Sequence, residues 1–473
     1  MEKLEKFFHI KERGSNIRTE IMAGITTFFA MVYILMVNAG MFADPFGDGT
    51  NVLGVSYGAI YIATSISAVI GTLLIGLLAN LPLAQASGMG LNAFFVYTAC
   101  VTFGLTYANA LVLILIDGIV FILLTATGLR KKIFSAIPDA VRTAIPAGIG
   151  LFIAFLGLQN AGLVVGDSST CVNLASFNLL KENAWASIMP MLVTVLALIA
   201  IAVMSKRNVR GAVLWGILGG AVLYYVLGFT VPGFYGSLSI TMESPFAAFG
   251  AFFSEAFGKV FTEGFDFSAY IAAHGVSNLI LTIATTSLAF CMVDMFDTLG
   301  TLYGACARGN MLDENGDVPN MDRAMLADAI ATTTGAVCGT STVTTFVESS
   351  SGVAEGGRTG FAAITTAILF FIAMFLSPIA QLIPSCATAA ALIYVGVLMM
   401  ACVKNIDWNE ITTAVPAFLT MAMMPFTYNI SYGIAFGLIS YVIIHVFSGK
   451  AKEVTAATWV VMALFLAMLL LTH

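Results

Sequence analysis

Apolar runs long enough to cross a bilayer recur almost from one end of the chain to the other, broken by short polar, charged or Gly/Pro-rich stretches. A transmembrane helix needs roughly 20 predominantly apolar residues. On that criterion the pattern predicts spans near 21–42, 57–79, 82–100, 107–128, 144–164, 186–204 and 211–230, then 278–303, 325–339, 341–356, 359–383, 387–403, 411–426 and 431–447. The expected fold class is therefore an all-α polytopic membrane protein. The stretch from Ala457 to Thr472 is also apolar. It reads either as an extra helix or as a sign that the 411–447 pair is one re-entrant element. Met1 to Glu20 is too charged, and Ile21 to Phe42 too long, for a cleavable signal, so residues 1–20 read as a cytoplasmic lead-in.

Composition agrees with this pattern: 59% of the 473 residues are hydrophobic and only 10% charged. The net charge of −6 says little about partners, but the placement of the 20 Lys and Arg residues says more. With the spans above, all of them except Lys181 and Lys259 fall on one side of the membrane. By the positive-inside rule this supports about fourteen spans and a cytoplasmic N-terminus, and with no transit-type leader a plasma (inner) membrane is the expected location. Neither a basic nucleic-acid patch nor a GxxxxGK[ST] loop occurs. The seven cysteines are scattered without CxxC spacing, which predicts packing residues, with no metal, cofactor or structural disulfide.

Seven spans per half is an odd number, so a duplicated half must lie inverted in the membrane. Weak echoes occur in the same order in both halves. Ile137-Pro138 matches Ile383-Pro384, Ala23-Gly24-Ile25-Thr26-Thr27 matches Thr282-Ile283-Ala284-Thr285-Thr286, and Ser87-Gly88 matches Ser351-Gly352. Inverted repeats of this kind are typical of secondary transporters. The third segment of each half is broken in a corresponding way. Asn80-Leu81-Pro82 leads through Gln85 into the small residues Ser87-Gly88-Met89-Gly90, and the β-branched run Thr340 to Val347 leads into Glu348-Ser349. Each predicts a short extended stretch (spans 3 and 10) running into a half-helix. Extended backbone at membrane depth is tolerated only where it is paired or lines a cavity, so the two stretches should pair and turn their half-helix N-termini to a common site.

The acids mark that site. Asp294 and Asp297 lie one helical turn apart in the run from Leu279 to Tyr303, and Glu348 follows in the second break. An acid at the bilayer centre costs about 2.5–3.5 kcal/mol on insertion scales and is by default a functional-site hypothesis. The expected wall holds Asp294, Asp297, Glu348, Thr298, Ser349 and Asn92, with no interior Lys or Arg. Such a wall repels anions and offers acceptors to a neutral, flat heterocycle rich in N–H donors. Acids sharing one apolar site are also suited to hold a proton among them.

Four motifs then carry a resemblance: Gly24-Ile25-Thr26-Thr27-Phe28, Gly88-Met89-Gly90-Leu91-Asn92-Ala93-Phe94-Phe95, Asp294-Met295-Phe296-Asp297-Thr298-Leu299-Gly300-Thr301, and Thr344 to Ser349 continuing through Gly356-Gly357-Arg358-Thr359-Gly360. In these the chain resembles the AzgA-like purine permeases of the nucleobase/ascorbate transporter superfamily over nearly its whole length. Glu348-Ser-Ser-Ser-Gly352 departs from the string typical of the uracil/xanthine branch. The resemblance implies proton symport of adenine, guanine or hypoxanthine by an elevator-like movement, in proteins that are often homodimeric. It implies a core domain (21–128 and 278–383) moving against a gate domain (129–230 and 384–473), with 231–277 as an extracellular or interfacial connector. By motif match Asp294 and Glu348 become the substrate-binding acids, Gly90 and Asn92 the span-3 site, and Asp297 a support for substrate or proton. Ser349 and Phe94 complete the expected substrate set, and Asp294, Asp297 and Glu348 the proton-coupling set.

Other residues have simpler readings. Asp117 is expected to be a buried hydrogen-bond partner, and Asp328 and Glu355 to pair with Arg323 or Arg358 near helix ends. Phe94, Phe95 and Phe346 flank the motifs and are candidates to stack on a purine, with packing the default for any one of the 36 phenylalanines. Rival functions are an anion exchanger of the same fold, a uracil/xanthine permease and a channel. A membrane enzyme is disfavoured, since neither HExxH nor GxSxG occurs.

Overall fold

The computed structural model describes residues 2–127, 137–180, 184–237, 244–314 and 317–471. Arg130, Lys131, Lys132 and Lys181, all used in the charge count, lie outside them. Among the described residues nine helices are long and apolar enough to cross a membrane, and four shorter apolar ones accompany them.

The first expected span is two helices, α1 (Ile17–Met31) and α2 (Tyr33–Ala43). Asn16 caps α1 by accepting the Thr19 N–H. The break falls at Val32 and sets Tyr33 at the head of α2. Next come α3 (Tyr57–Leu74, continued by a π turn to Ala79), strand β1 (Gln85–Ser87), α4 (Met89–Ala93, running on as π-helix to Thr102) and α5 (Tyr107–Thr127). Then follow α6 (Asp139–Asn160), an exposed hairpin of β2 (Val164–Asp167) with β3 (Cys171–Leu174), α7 (Ala184–Lys206) and α8 (Ala212–Gly228).

Three short helices, α9 (Pro245–Ala251), α10 (Lys259–Thr262) and α11 (Ser268–His274), lead to the long α12 (Val276–Arg308). Then come α13 (Met321–Cys338), β4 (Val343–Thr345), α14 (Ser349–Ala354) and α15 (Gly360–Ala373). The chain finishes with α16 (Ser385–Met399), α17 (Ile411–Thr427), α18 (Ile430–Phe447) and α19 (Ala456–Leu471). The 411–447 stretch is thus two packed helices joined at Tyr428 and Asn429, and the terminal apolar stretch is a separate helix against α18 and α12.

The two broken segments meet at the centre. β1 and β4 pair antiparallel, with Gln85 opposite Thr345, Ala86 opposite Thr344 and Ser87 opposite Val343. The pairing is extended by Gly88 N–H to the Thr342 carbonyl (3.0 Å) and Phe346 N–H to the Ala84 carbonyl (3.1 Å). All six strand residues are buried, so the ladder satisfies backbone groups that lipid could not.

Around the ladder the helices pack in two sets. α1, α3, α5, α12, α13 and α15 pack among themselves and against β1 and β4, whereas α6, α7, α8, α16, α17 and α18 pack among themselves. In the second set α6 meets α16 through glycines: a Cβ on Gly150 would lie 2.8 Å from the Gly396 carbonyl oxygen. Small residues at such crossings let membrane helices approach closely.

At the end rich in Lys and Arg, the first set is tied by a clasp. Arg13 donates to the carbonyls of Asn80 (2.8 Å) and Arg358 (3.2 Å). Buried Glu20 accepts the N–H groups of Arg358 and Thr359, and Asn80 accepts that of Gly360. The Gly356–Gly360 motif therefore seats the start of α15 on the ends of α1 and α3.

Candidate functional site

Where β1 and β4 meet, a small, partly open pocket forms. Tyr33, Gly88, Met89 and Gly90 line it on one side, and Asp297, Thr301 and Thr345 to Glu348 on another. Val395 and Met399 of α16 close it from the second helix set. Its wall carries two carboxylates and no Lys or Arg.

Each lining group has a local origin. Glu348 stands in the turn that ends β4, where the chain must leave the ladder to enter α14. One of its carboxylate oxygens accepts the Tyr33 hydroxyl at 2.7 Å. Tyr33 is fully buried, one residue past Val32, which caps the end of α1. Asp297 faces the pocket from α12, with Thr301 one turn on. Gly90 leaves room for the second helix set, since a Cβ there would lie 2.6 Å from Ile149 Cγ2.

Of the residues expected from sequence, Glu348, Asp297 and Gly90 line this pocket, together with Phe346. Asp294, Asn92, Ser349 and Phe94 do not. Asp294 is fully buried; one of its oxygens accepts the Thr332 hydroxyl at 3.2 Å, and the other has no hydrogen-bond partner among the described residues. Asn92 accepts the Ser341 hydroxyl and donates to the Ser87 carbonyl (3.3 Å), bracing the crossing from within. The Ser349 hydroxyl accepts the Ala84 N–H at 3.0 Å, locking β1 to the head of α14. Phe94 packs on Phe290 with ring centroids 4.3 Å apart, and Phe95 stacks on Phe42 at 5.0 Å.

The expected half-helix donors are likewise partly occupied. The N–H groups of Ser349, Ser350 and Ser351 bond the carbonyls of Phe346, Val347 and Glu348 in successive tight turns. On the span-10 side the pocket is therefore faced by the Glu348 side chain more than by backbone N–H groups.

Two acids depart from their expected surroundings, and a third keeps to them. Asp328 is no helix-end partner of Arg323. It is fully buried and accepts Gln85 Nε2 (2.8 Å), Thr298 Oγ1 (2.8 Å) and Thr345 Oγ1 (3.3 Å), so it holds both strands of the crossing. Glu355 pairs with Arg210 rather than Arg358, through two contacts of 2.9 and 2.5 Å, and joins the α7–α8 loop to the end of α14. Asp117 is fully buried, as expected, with Cys291 and Thr342 beside its carboxylate. Tyr33 was missed altogether, because nothing in its local pattern marks a break at Val32.

The sequence profile of the Permease family matches residues 18–436. The chain belongs to that family. The permease is 40% identical to the guanine/hypoxanthine permease PbuG of Bacillus subtilis, with 95% of this chain and 96% of that protein covered. It is 36% identical to the adenine permease AdeP of Escherichia coli, over 98% of this chain and 95% of that one. Among solved structures, the transmembrane domain of the cyanobacterial bicarbonate transporter BicA matches with a TM-score of 0.59 and 14% identity, covering 89% of this chain and 97% of that one. At that identity the likeness is one of fold. The permease is thus a multi-pass membrane transporter with the helical, inverted-repeat architecture read from its sequence.

Proposed function

We propose that this permease imports purine nucleobases, with adenine, guanine and hypoxanthine as the candidate substrates, by symport with a proton. The observation that carries the proposal is the pocket wall: two carboxylates, a tyrosine hydroxyl, a flanking phenylalanine and no cation. A purine brings N–H donors in one plane, which carboxylates accept, and an apolar face, which Phe346, Val395 and Met399 can cover. The names of the full-length relatives point the same way.

In this reading Asp297 and Glu348 face the base, taking the direct contact that motif matching gave to Asp294. Asp294 acts behind the wall. The proton is carried among Asp294, Asp297 and Glu348, so that an acidic site is neutralised when the substrate binds. The helix set that holds the crossing is the moving core, and the set of α6 to α8 and α16 to α18 is the gate, in line with Val395 and Met399 reaching across to the pocket. The Lys/Arg-rich ends face the cytoplasm of a plasma membrane, and a homodimer forms through the gate.

An anion exchanger is the second reading, prompted by the shared fold with a bicarbonate transporter. The uncompensated carboxylates of the wall argue against it. The test is uptake of radiolabelled adenine, guanine and hypoxanthine by cells lacking their own purine permeases, with and without a protonophore. Concentrative uptake that the protonophore abolishes is the expected result. Absence of uptake of all three bases, with the protein present in the membrane, overturns the proposal.

A further inference from the structure

Between α8 and α12 the segment Ser244–Gly275 lies across the helix ends opposite the Arg13 clasp. Its inner side is fastened to the helices that hold the crossing. Glu255 accepts the Ser56 N–H at the head of α3 (2.8 Å), Gly258 N–H reaches the Val337 carbonyl of α13 (2.8 Å), and Asn109 of α5 donates to the carbonyls of Gly264 (2.8 Å) and Asp266 (2.9 Å). Its outer side is aromatic. Phe246, Phe253, Phe257, Phe261 and Phe265 are 46% to 80% exposed, and the last four recur at every fourth residue. Phe253 and Phe257 share a cluster with Phe252, their ring centroids 5.0 to 5.8 Å apart.

The segment's charges are engaged locally. Glu255 is held by Ser56, Lys259 pairs with Glu263, and Asp266 accepts the Ser268 N–H at 3.0 Å. An exposed apolar patch of this kind marks an interaction site. What covers it follows from continuity: Phe249 lies 5.9 Å from Phe375, which in turn lies 5.9 Å from Phe371 on the exposed flank of α15. That helix belongs to an apolar stretch, Gly360–Ala380, long enough to cross a membrane. The aromatic surface is thus the rim of a lipid-facing flank, at the level where spans end and backbone turns across the bilayer surface. Amphipathic segments at that level bury their apolar face at the headgroup/acyl boundary, where aromatic belts lie.

We propose that Ser244–Gly275 is an interfacial lipid-binding platform whose phenylalanines embed in the leaflet on the side away from the Lys/Arg-rich loops. Because it is bonded to α3, α5 and α13, displacement of that helix set carries the platform through the headgroup region.

The test places the full-length protein in phosphatidylcholine liposomes with Phe261→Trp, Phe265→Trp or, as a depth reference on α15, Phe371→Trp. The four native tryptophans are subtracted through the unsubstituted protein. Lipids brominated near the ester or near the chain end serve as quenchers. Blue-shifted emission at 261 or 265, quenched about twofold more by bromine near the ester, is expected, with a weaker or reversed preference at 371. Red-shifted, unquenched emission at both positions means the platform faces water, and blue-shifted emission that neither lipid quenches means that a second copy covers it. Either result overturns the proposal. The two positions back each other if one variant fails to fold, and no transport assay is involved, so the outcome is independent of the substrate.

Discussion

Asp297 and Asp294 sit one turn apart on the same helix, yet one faces an open pocket and the other is closed in against Thr332. Asp328 does not line the pocket either, and has three side-chain donors on its carboxylate. Glu348, by contrast, gives only one oxygen to a protein partner and keeps the rest of its carboxylate toward the pocket. The difference lies in the neighbours. A carboxylate surrounded by protein donors is a strut, and one left facing a cavity without a cation is an acceptor for something that arrives. Acids in a membrane protein are therefore poorly ranked by depth alone; whether the side chain lines the cavity separates the two kinds.

The largest effect that would sharpen this contrast is expected at the pocket. Glu348→Gln and Asp297→Asn each remove a charged acceptor worth about 1.5–3 kcal/mol, a loss of roughly 10- to 150-fold in apparent affinity, with normal membrane abundance. Transport kinetics and surface quantification in the same cells decide this. Near-normal affinity in both variants breaks the assignment of the pocket acids.

Asp328→Asn should act differently. The amide turns one carboxylate acceptor into a donor facing Gln85, Thr298 and Thr345, which costs on the order of 1–3 kcal/mol of fold stability. Lower abundance and a lower melting temperature in detergent are expected, while the surviving protein keeps its ranking of competing bases. A changed ranking at normal stability would move Asp328 into the site.

A smaller effect is expected at Tyr33. Tyr33→Phe keeps the ring and removes one hydrogen bond to Glu348, so KM should rise about tenfold while the maximal rate holds. In the Glu348→Gln background the same change should add little, because the partner has already been altered. Additive effects would show that Tyr33 acts on something other than Glu348.

The smallest effect belongs to the exposed pair. Arg210→Ala breaks a surface ion pair of a kind worth about 0.2–1 kcal/mol, so uptake should change by less than about fivefold and lose what salt dependence it has. A near-complete loss of uptake would make the pair a fixed part of the cycle rather than a surface contact between the α7–α8 loop and α14.

Much of the architecture was legible because a bilayer leaves few options. Long apolar runs, the bias of Lys and Arg, and two breaks at matching places each follow from a cost that sequence alone displays. The pairing of the broken segments was legible for the same reason, since unpaired strand in lipid is prohibited. The site was read only in part. Glu348 and Gly90 were found where the strands end, but Asn92 and Ser349 look equally suited to a ligand until the structure shows Ser341 and Ala84 holding them. Tyr33 could not be found, because a one-residue break after Met31 carries neither Pro nor Gly.

By itself, then, the sequence determined that this chain is a polytopic transporter with paired, broken central segments and intramembrane acids, since composition and periodicity register the price of placing groups in lipid. Which of those acids meets the cavity was decided only by tertiary structure. Contacts with residues tens to hundreds of positions away, such as Thr332 with Asp294 or Tyr33 with Glu348, fix where each carboxylate sits. No local pattern encodes those distances, because they depend on how helices from separate halves come to lie against one crossing.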